Sequence, residues 1–161
     1  MILPIIKYPN KILRKKTRQV SFPLSPTVKK LIKDMGDTVK KAEGIGLAAP
    51  QVGHDLAIIV VDLETMGVPP FVLINPEVVK FSKKKTDMEE GCLSIPKVFG
   101  IVPRPEDIVF KGYNILGKEI TAAADGMLAK VLQHEIDHIN GILIIDKIKK
   151  YTQGQELITA K

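Results

Sequence analysis

Two histidines four residues apart lie near the C-terminal end of the chain, in the stretch His134-Glu135-Ile136-Asp137-His138. On an α-helix, side chains at positions i and i+4 lie on one face, so both imidazoles can reach the same metal ion. Glu135 is then close enough to accept and deliver protons. The same spacing also arises by chance on ordinary amphipathic helices. Two histidines do not complete a catalytic site, because such a metal normally takes three protein ligands and keeps one position for water.

Two protease classes offer different third ligands. A metzincin needs a histidine where this chain has Ile144, although the glycine of that pattern is present as Gly141, so the ligand chemistry excludes this class. A thermolysin-like zinc endopeptidase would use a glutamate downstream of the motif. Glu156 is the only glutamate there, and it stands in a polar tail for which the sequence predicts no helix.

The other candidates are His54 and Cys92. His54 follows a glycine at a predicted turn, which is typical of a surface residue. Cys92 is the only cysteine, and its setting E-G-C-L-S at 90–94 is unlike that of a simple core cysteine. Cys92, His134 and His138 would form a sulfur and two-nitrogen ligand set with a fourth position open. The endopeptidase with Glu156 stays as the alternative.

Length and composition limit the class of protein. A chain of 161 residues predicts one domain over residues 1–161. Hydrophobic residues make up 45% and charged residues 26%, and no apolar run approaches the roughly 18 residues of a membrane span. The start M-I-L-P-I-I-K lacks the features of a secretory signal. A single cysteine excludes a disulfide within the chain and favours a reducing compartment, so we expect a cytoplasmic protein.

The net charge of +6 suggests a polyanionic neighbour such as RNA, but surface lysines alone produce such values in many enzymes. Aromatic residues amount to 5%, and tryptophan is absent. This composition argues against a stacking platform for single-stranded nucleic acid. We therefore expect no direct nucleic-acid substrate.

The elements that must position the motif follow from hydrophobic spacing and turn residues. Ser25-Pro26 predicts the start of a helix that ends at Gly44 and buries Val28, Leu31, Ile32, Met35, Val39 and Ala42. A second helix should begin near Asp125, end at Gly141 and be buried on most of its circumference. Strands are predicted at 56–62, at 71–74 with 78–81 after a break, and as a hairpin at 108–113 and 119–123. The pattern favours an α+β fold with antiparallel β-sheets packed around a central C-terminal helix that carries the H-E-x-x-H motif.

Three separate stretches resemble the signature motifs of the peptide deformylases in order and in spacing. They are G-I-G-L-A-A-P-Q at 44–51, E-G-C-L-S at 90–94 and Q-H-E-I-D-H at 133–138. The flanking segments K-Y-P-N-K-I-L-R at 7–14 and I-V-P-R at 101–104 are similar to the family as well. The resemblance thus covers nearly the whole chain, and three motifs at the right separations make a chance match negligible.

The resemblance implies metal-dependent removal of the formyl group from formyl-methionine at the start of nascent chains. It makes Cys92, His134 and His138 the metal ligands and Glu135 the general base. The ligand types alone favour zinc, whereas the family resemblance implies Fe²⁺ in the cell, with Zn²⁺, Ni²⁺ or Co²⁺ as substitutes.

Further roles are implied by the same resemblance. The side-chain amide of Gln51 and the backbone N–H of Leu93 would stabilise the charge that develops on the formyl oxygen. Glu90 and Arg104 would form an ion pair that fixes the cysteine loop. Gly44, Gly46 and Gly91 would let the extended peptide approach the backbone closely. The predicted substrate-binding residues are Ile45, Gly46, Gly91, Met88, Met127 and Val131.

The expected partner is an N-formylated nascent peptide, with a transient ribosome contact possible. Many members of the family carry a long basic C-terminal helix for that contact, but only about twenty residues follow the motif helix here. Phe99 stands where relatives often have a polar or basic residue near the substrate entrance, which would alter preference beyond methionine. We expect no membrane contact and a monomer or weak dimer.

Overall fold

The computed structural model describes residues 1–159 of the chain. In chain order, the helices and strands are α1 (Pro26–Lys41), β1 (Gly46–Ala48), β2 (Ile58–Leu63), β3 (Val68–Phe81), β4 (Lys85–Cys92), β5 (Ile95–Pro105), β6 (Asp107–Tyr113), β7 (Glu119–Asp125), α2 (Gly126–Ile139), β8 (Lys150–Gln153) and α3 (Gln155–Thr159). Short 3-10 helices lie at Lys11–Arg14, Ala49–Val52, Glu64–Met66 and Ile144–Asp146.

The strands form two antiparallel sheets, and both sheets contact helix α2. The larger sheet has the order β1-β2-β3-β6-β7, and the smaller one has the order β4-β5-β8. Helix α2 packs against strands of both sheets, and its Leu132 and Ile136 share a buried cluster with Ile59, Val61 and Phe110. The predicted α+β fold with a central motif-bearing helix is therefore confirmed. None of the described helices has a segment that could serve as a membrane span.

Helix α1 begins where the sequence predicts. The Ser25 side chain accepts a hydrogen bond from the backbone N–H of Val28, and Pro26 occupies the first helical turn. The helix nevertheless ends before Gly44: Glu43 takes the left-handed conformation at φ 56°, and Gly44 follows it with its N–H bonded to the Val39 carbonyl. The helix therefore ends at Lys41 rather than at Gly44 as predicted, and Glu43, not Gly44, takes the left-handed conformation after it.

The segment around Cys92 is a strand and a hairpin turn rather than the loop expected at 90–94. Strand β4 ends at Cys92, Leu93 and Ser94 form a two-residue turn, and Cys92 pairs with Ile95 at the start of β5. Prolines obscured β5 in the sequence, because proline cannot donate a ladder hydrogen bond. The structure tolerates Pro103 and Pro105 because β8 pairs only with the Phe99–Ile101 part of β5.

The tail after α2 is also more ordered than the sequence predicts. Strand β8 joins the smaller sheet, and α3 holds Glu156, for which no helix was predicted. Gly154 lies between them at φ 81°, and a Cβ there would come within 2.2 Å of the Lys97 carbonyl oxygen. Backbone contact at Gly154 helps to dock the tail, together with Tyr151 and Ile158, which pack against a buried cluster. The backbone part of this docking leaves no hydrophobic pattern in the sequence.

Candidate metal centre and active site

Two elements bring the predicted metal ligands together. Helix α2 places His134 and His138 one turn apart, and the β4–β5 hairpin brings Cys92 against them. The ligand atoms of the three residues lie within 4.8 Å of one another, and Cys92 Sγ is 3.4 Å from His138 Nε2. A thiolate and two imidazoles are ligands that suit first-row divalent metals and leave a fourth tetrahedral position open. The residues present therefore fit a metal ion.

The surroundings orient the imidazole of His134 and keep the imidazole of His138 neutral. Glu90 Oε1 lies 3.1 Å from His134 Nδ1, which can donate to it and so leave Nε2 free for a metal. His138 is buried, and burial lowers its pKa well below the ordinary value for histidine. His138 is therefore neutral at pH 7, which is the state that binds metals.

The expected ion pair of Glu90 and Arg104 is present beneath the centre. Arg104 is only 2% exposed, and its guanidinium donates to both Glu90 oxygens, at 2.6 and 3.0 Å, and to Asp137 at 2.8 Å. Burial by itself would raise the pKa of Glu90, but the bonds from His134 and Arg104 outweigh it and hold the pKa at about 2. Glu90 is therefore ionised at neutral pH, and its carboxylate orients the ring of His134 by accepting a hydrogen bond from Nδ1.

Gln51 is fixed by the 3-10 helix Ala49–Val52 and is 1% exposed. Its Oε1 accepts a hydrogen bond from the Ala48 N–H at 2.9 Å, which determines the orientation of the amide. Its Nε2 then faces the metal ligands, 3.6 Å from Cys92 Sγ and 3.2 Å from Ser94 Oγ. A fixed N–H donor thus lies directly beside the candidate metal centre.

Glu135 occupies a buried position next to the two histidines. It is 3% exposed, its Oε1 lies 3.9 Å from His134 Nε2, and its buried Oε2 has no hydrogen-bond partner among the described residues. Burial raises the pKa of the Glu135 carboxyl to about 7. A group with a pKa near the working pH can both accept and return a proton.

Three glycines near the centre make room for side chains of the protein itself. A Cβ on Gly46 would lie 2.7 Å from Glu135 Oε1, and one on Gly91 would lie 2.4 Å from Cε1 of Phe99. A Cβ on Gly44 would lie 3.0 Å from Cδ1 of Leu93. The sequence attributed these glycines to the approach of a peptide. The structure shows a second reason for each of them, which is close packing within the site.

Replacing Gly46 with alanine should therefore displace the Glu135 carboxylate. We expect turnover to fall by roughly ten- to a hundredfold, because a misplacement of about 1 Å in a reacting group can cost about a hundredfold. Metal content should not change. The matched control is Gly36→Ala on α1, where a new Cβ meets nothing within 4 Å. Equal turnover in the two variants would contradict this packing argument.

A cleft of about 780 Å³ opens beside the centre and is lined by every predicted substrate-binding residue: Ile45, Gly46, Met88, Gly91, Met127 and Val131. Gln51, Cys92, Leu93, His134 and Glu135 line the same cleft. Sequence reasoning missed Lys7, Lys130 and Ser94. A lysine at position 130 interrupts the apolar surface of α2, and this interruption was a sequence signal that Lys130 has a specific role. Its ammonium donates to the carbonyls of Thr86 and Arg104.

The other ligand candidates are not part of this cluster. Glu156 is exposed on α3, and His54 is exposed in the turn that follows the Ala49–Val52 helix. Among residues 1–159, the cluster of ligand atoms close enough to share a metal consists of Cys92, His134 and His138. The geometry therefore does not favour the endopeptidase alternative.

Comparison with known proteins identifies a family. The family profile described as polypeptide deformylase matches residues 2–154. A peptide deformylase of Dictyoglomus thermophilum is 46% identical over 156 residues, which cover 97% of this chain and 99% of that protein. The crystal structure of a class I type b peptide deformylase from Acinetobacter baumannii superposes with a TM-score of 0.89 at 34% identity, covering 92% of this chain and 99% of that one. The chain therefore belongs to the peptide deformylase family.

Proposed function

We propose that Cys92, His134 and His138 hold one divalent metal ion and that Glu135 moves the proton in the reaction of the family. That reaction is the hydrolysis of the N-formyl group from formyl-methionine at the N terminus of nascent polypeptides, which releases formate. The observation that carries the proposal is the convergence of Cys92 with the two histidines of α2 beside the buried Glu135.

When bound, the metal ion supplies Lewis acidity, which acidifies a water molecule and polarises the formyl oxygen. Glu135 accepts a proton from that water, and the water oxygen attacks the formyl carbon. Glu135 then returns the proton to the amine nitrogen as the carbon–nitrogen bond breaks. The products are formate and a peptide with a free N terminus, and Glu135 ends the cycle ionised.

Two donors face the oxygen on which charge develops. The Gln51 amide is held by Ala48 and directed toward the centre, and the N–H of Leu93 belongs to the two-residue turn that follows Cys92. Donors that are fixed before the reaction need no reorganisation when charge appears, and this makes them effective. Both residues line the cleft, as this role requires.

The cleft suits an extended peptide with an apolar first side chain. β1 is at one edge of the larger sheet and β4 is at one edge of the smaller sheet, and residues from both strands line the cleft. An extended substrate can therefore add to a strand edge. Met88, Met127 and Val131 would surround the methionine side chain of the substrate.

We further propose that Fe²⁺ is the native ion, with Zn²⁺, Ni²⁺ or Co²⁺ able to replace it, and that the chain works as one catalytic domain in the cytoplasm. The mixed sulfur and nitrogen ligands support a first-row transition metal. The net charge of +6 supports a transient contact with the ribosome. We propose a monomer or weak dimer.

The test compares formyl-Met-Ala-Ser with acetyl-Met-Ala-Ser, using protein loaded with Ni²⁺. We expect formate release from the first peptide and no deacylation of the second, because the formyl carbon carries only a hydrogen atom and is therefore less hindered and more electrophilic than the acetyl carbon. Cleavage of internal peptide bonds in an unfolded protein, without formate release from the formyl peptide, would instead support the endopeptidase alternative.

A further inference from the structure

An N-terminal segment that has no role in the proposed chemistry touches both loops that carry the oxyanion donors. The N–H of Ile6 donates to the Gln51 carbonyl at 2.7 Å. This bond holds the backbone of Gln51, the residue whose side-chain amide faces the metal ligands. It also fixes the 3-10 helix Ala49–Val52 relative to the start of the chain.

The next two residues hold the turn that contains the second donor. The Lys7 ammonium donates to the Leu93 carbonyl at 3.2 Å, and the Tyr8 N–H donates to the Ser94 carbonyl at 2.8 Å. Residues 93 and 94 are the whole turn between β4 and β5. The carbonyls of a two-residue turn normally bond to solvent. In this protein, both carbonyls of the turn instead accept hydrogen bonds from the N-terminal segment.

The segment is itself well anchored. Leu13 is fully buried, and Thr17 donates from both its N–H and its hydroxyl to the Ile139 carbonyl at the end of α2. Residues 6–17 therefore connect the Gln51 loop, the Cys92 hairpin and the motif helix. A connection of this kind reduces independent movement of the three parts.

We propose that residues 6–8 are a positioning element for the oxyanion donors, with Lys7 as its key side chain. This inference rests on the proposed function. By holding the Leu93 carbonyl, Lys7 restricts rotation about the Cα–C bond of Leu93 and so steadies the turn that carries the Leu93 N–H, the proposed second donor. A donor that is loosely held contributes less to the transition state than one that is fixed.

The test uses Lys7→Met, which keeps the length of the side chain and removes the ammonium. We expect kcat to fall roughly three- to tenfold, as for the loss of one ordinary hydrogen bond, because the Lys7 bond is exposed to solvent, and we expect KM to stay unchanged. Amide hydrogen exchange in residues 91–95 of the Ni²⁺-loaded protein should become faster. Lys7→Arg should restore both values to within about twofold, because its guanidinium also donates.

Lys11→Met is the matched control, since Lys11 is exposed on the same segment and its ammonium has no hydrogen bond among the described residues. An unchanged kcat or unchanged exchange in Lys7→Met would overturn the proposal. A raised KM with normal kcat would also overturn it, because Lys7 lines the cleft and would then act by binding substrate. If the unaltered protein released no formate, the proposed function would fail, while the exchange data would still decide whether Lys7 holds the turn.

Discussion

Glu135→Gln is expected to lower the turnover of formyl-Met-Ala-Ser by about a thousandfold, because general acid and base catalysis is worth 10²–10⁴ in rate. Glutamine has nearly the same shape, so the packing against Gly46 should survive. It cannot accept the proton of water or return it to the leaving amine. Metal content should stay at the level of the unaltered protein, since Glu135 is not among the three ligands.

Steady-state formate release and elemental analysis of the same samples would check this expectation. Glu64→Gln is a suitable control, because Glu64 is an exposed glutamate in the 3-10 helix Glu64–Met66. Near-normal turnover of Glu135→Gln would show that the proton moves through another group. Loss of the metal would show that Glu135 helps to hold it.

Cys92→Ala is expected to lower metal affinity by more than about a hundredfold, because losing a residue that merely supports a ligand already costs 10- to 100-fold. Two histidines on one helix cannot enclose an ion without the thiolate. Formate release should fall with metal content. The measurement is a competition titration against a chelator of known affinity, at fixed pH.

Glu156→Ala distinguishes the ligand set Cys92, His134 and His138 from the endopeptidase alternative, in which Glu156 is the third ligand. Glu156 is exposed on α3, outside the cluster of ligands. Its replacement should leave metal affinity unchanged. If Glu156→Ala lost the metal and Cys92→Ala kept it, the ligand set proposed for this chain would be wrong.

The local part of the fold was predictable because its signals lie close together in the chain. Ser25 and Pro26 predicted the start of α1, and the spacing of His134 and His138 predicted that both side chains lie on one face of α2. A cap or a helical repeat acts over a few residues, so the sequence is sufficient to read it.

Long-range features were harder to predict. Residue types alone left Cys92 in competition with Glu156, and the resemblance to the family favoured Cys92. The β4–β5 hairpin that delivers Cys92 was hidden by the prolines of β5, and β8 has only one apolar residue, Tyr151. The bonds from Ile6 and Tyr8 join backbone groups, which every residue has. Such contacts leave no trace in side-chain patterns.

The most direct test of the central claim measures formate release as a function of bound metal. Metal-free protein would be reconstituted with increasing amounts of Ni²⁺ without oxygen, and bound metal and turnover of formyl-Met-Ala-Ser would be measured on each sample. We expect turnover to rise in proportion to bound metal and to saturate at one ion per chain. Equal turnover by the metal-free protein would contradict a metal centre at Cys92, His134 and His138 as the site of the reaction.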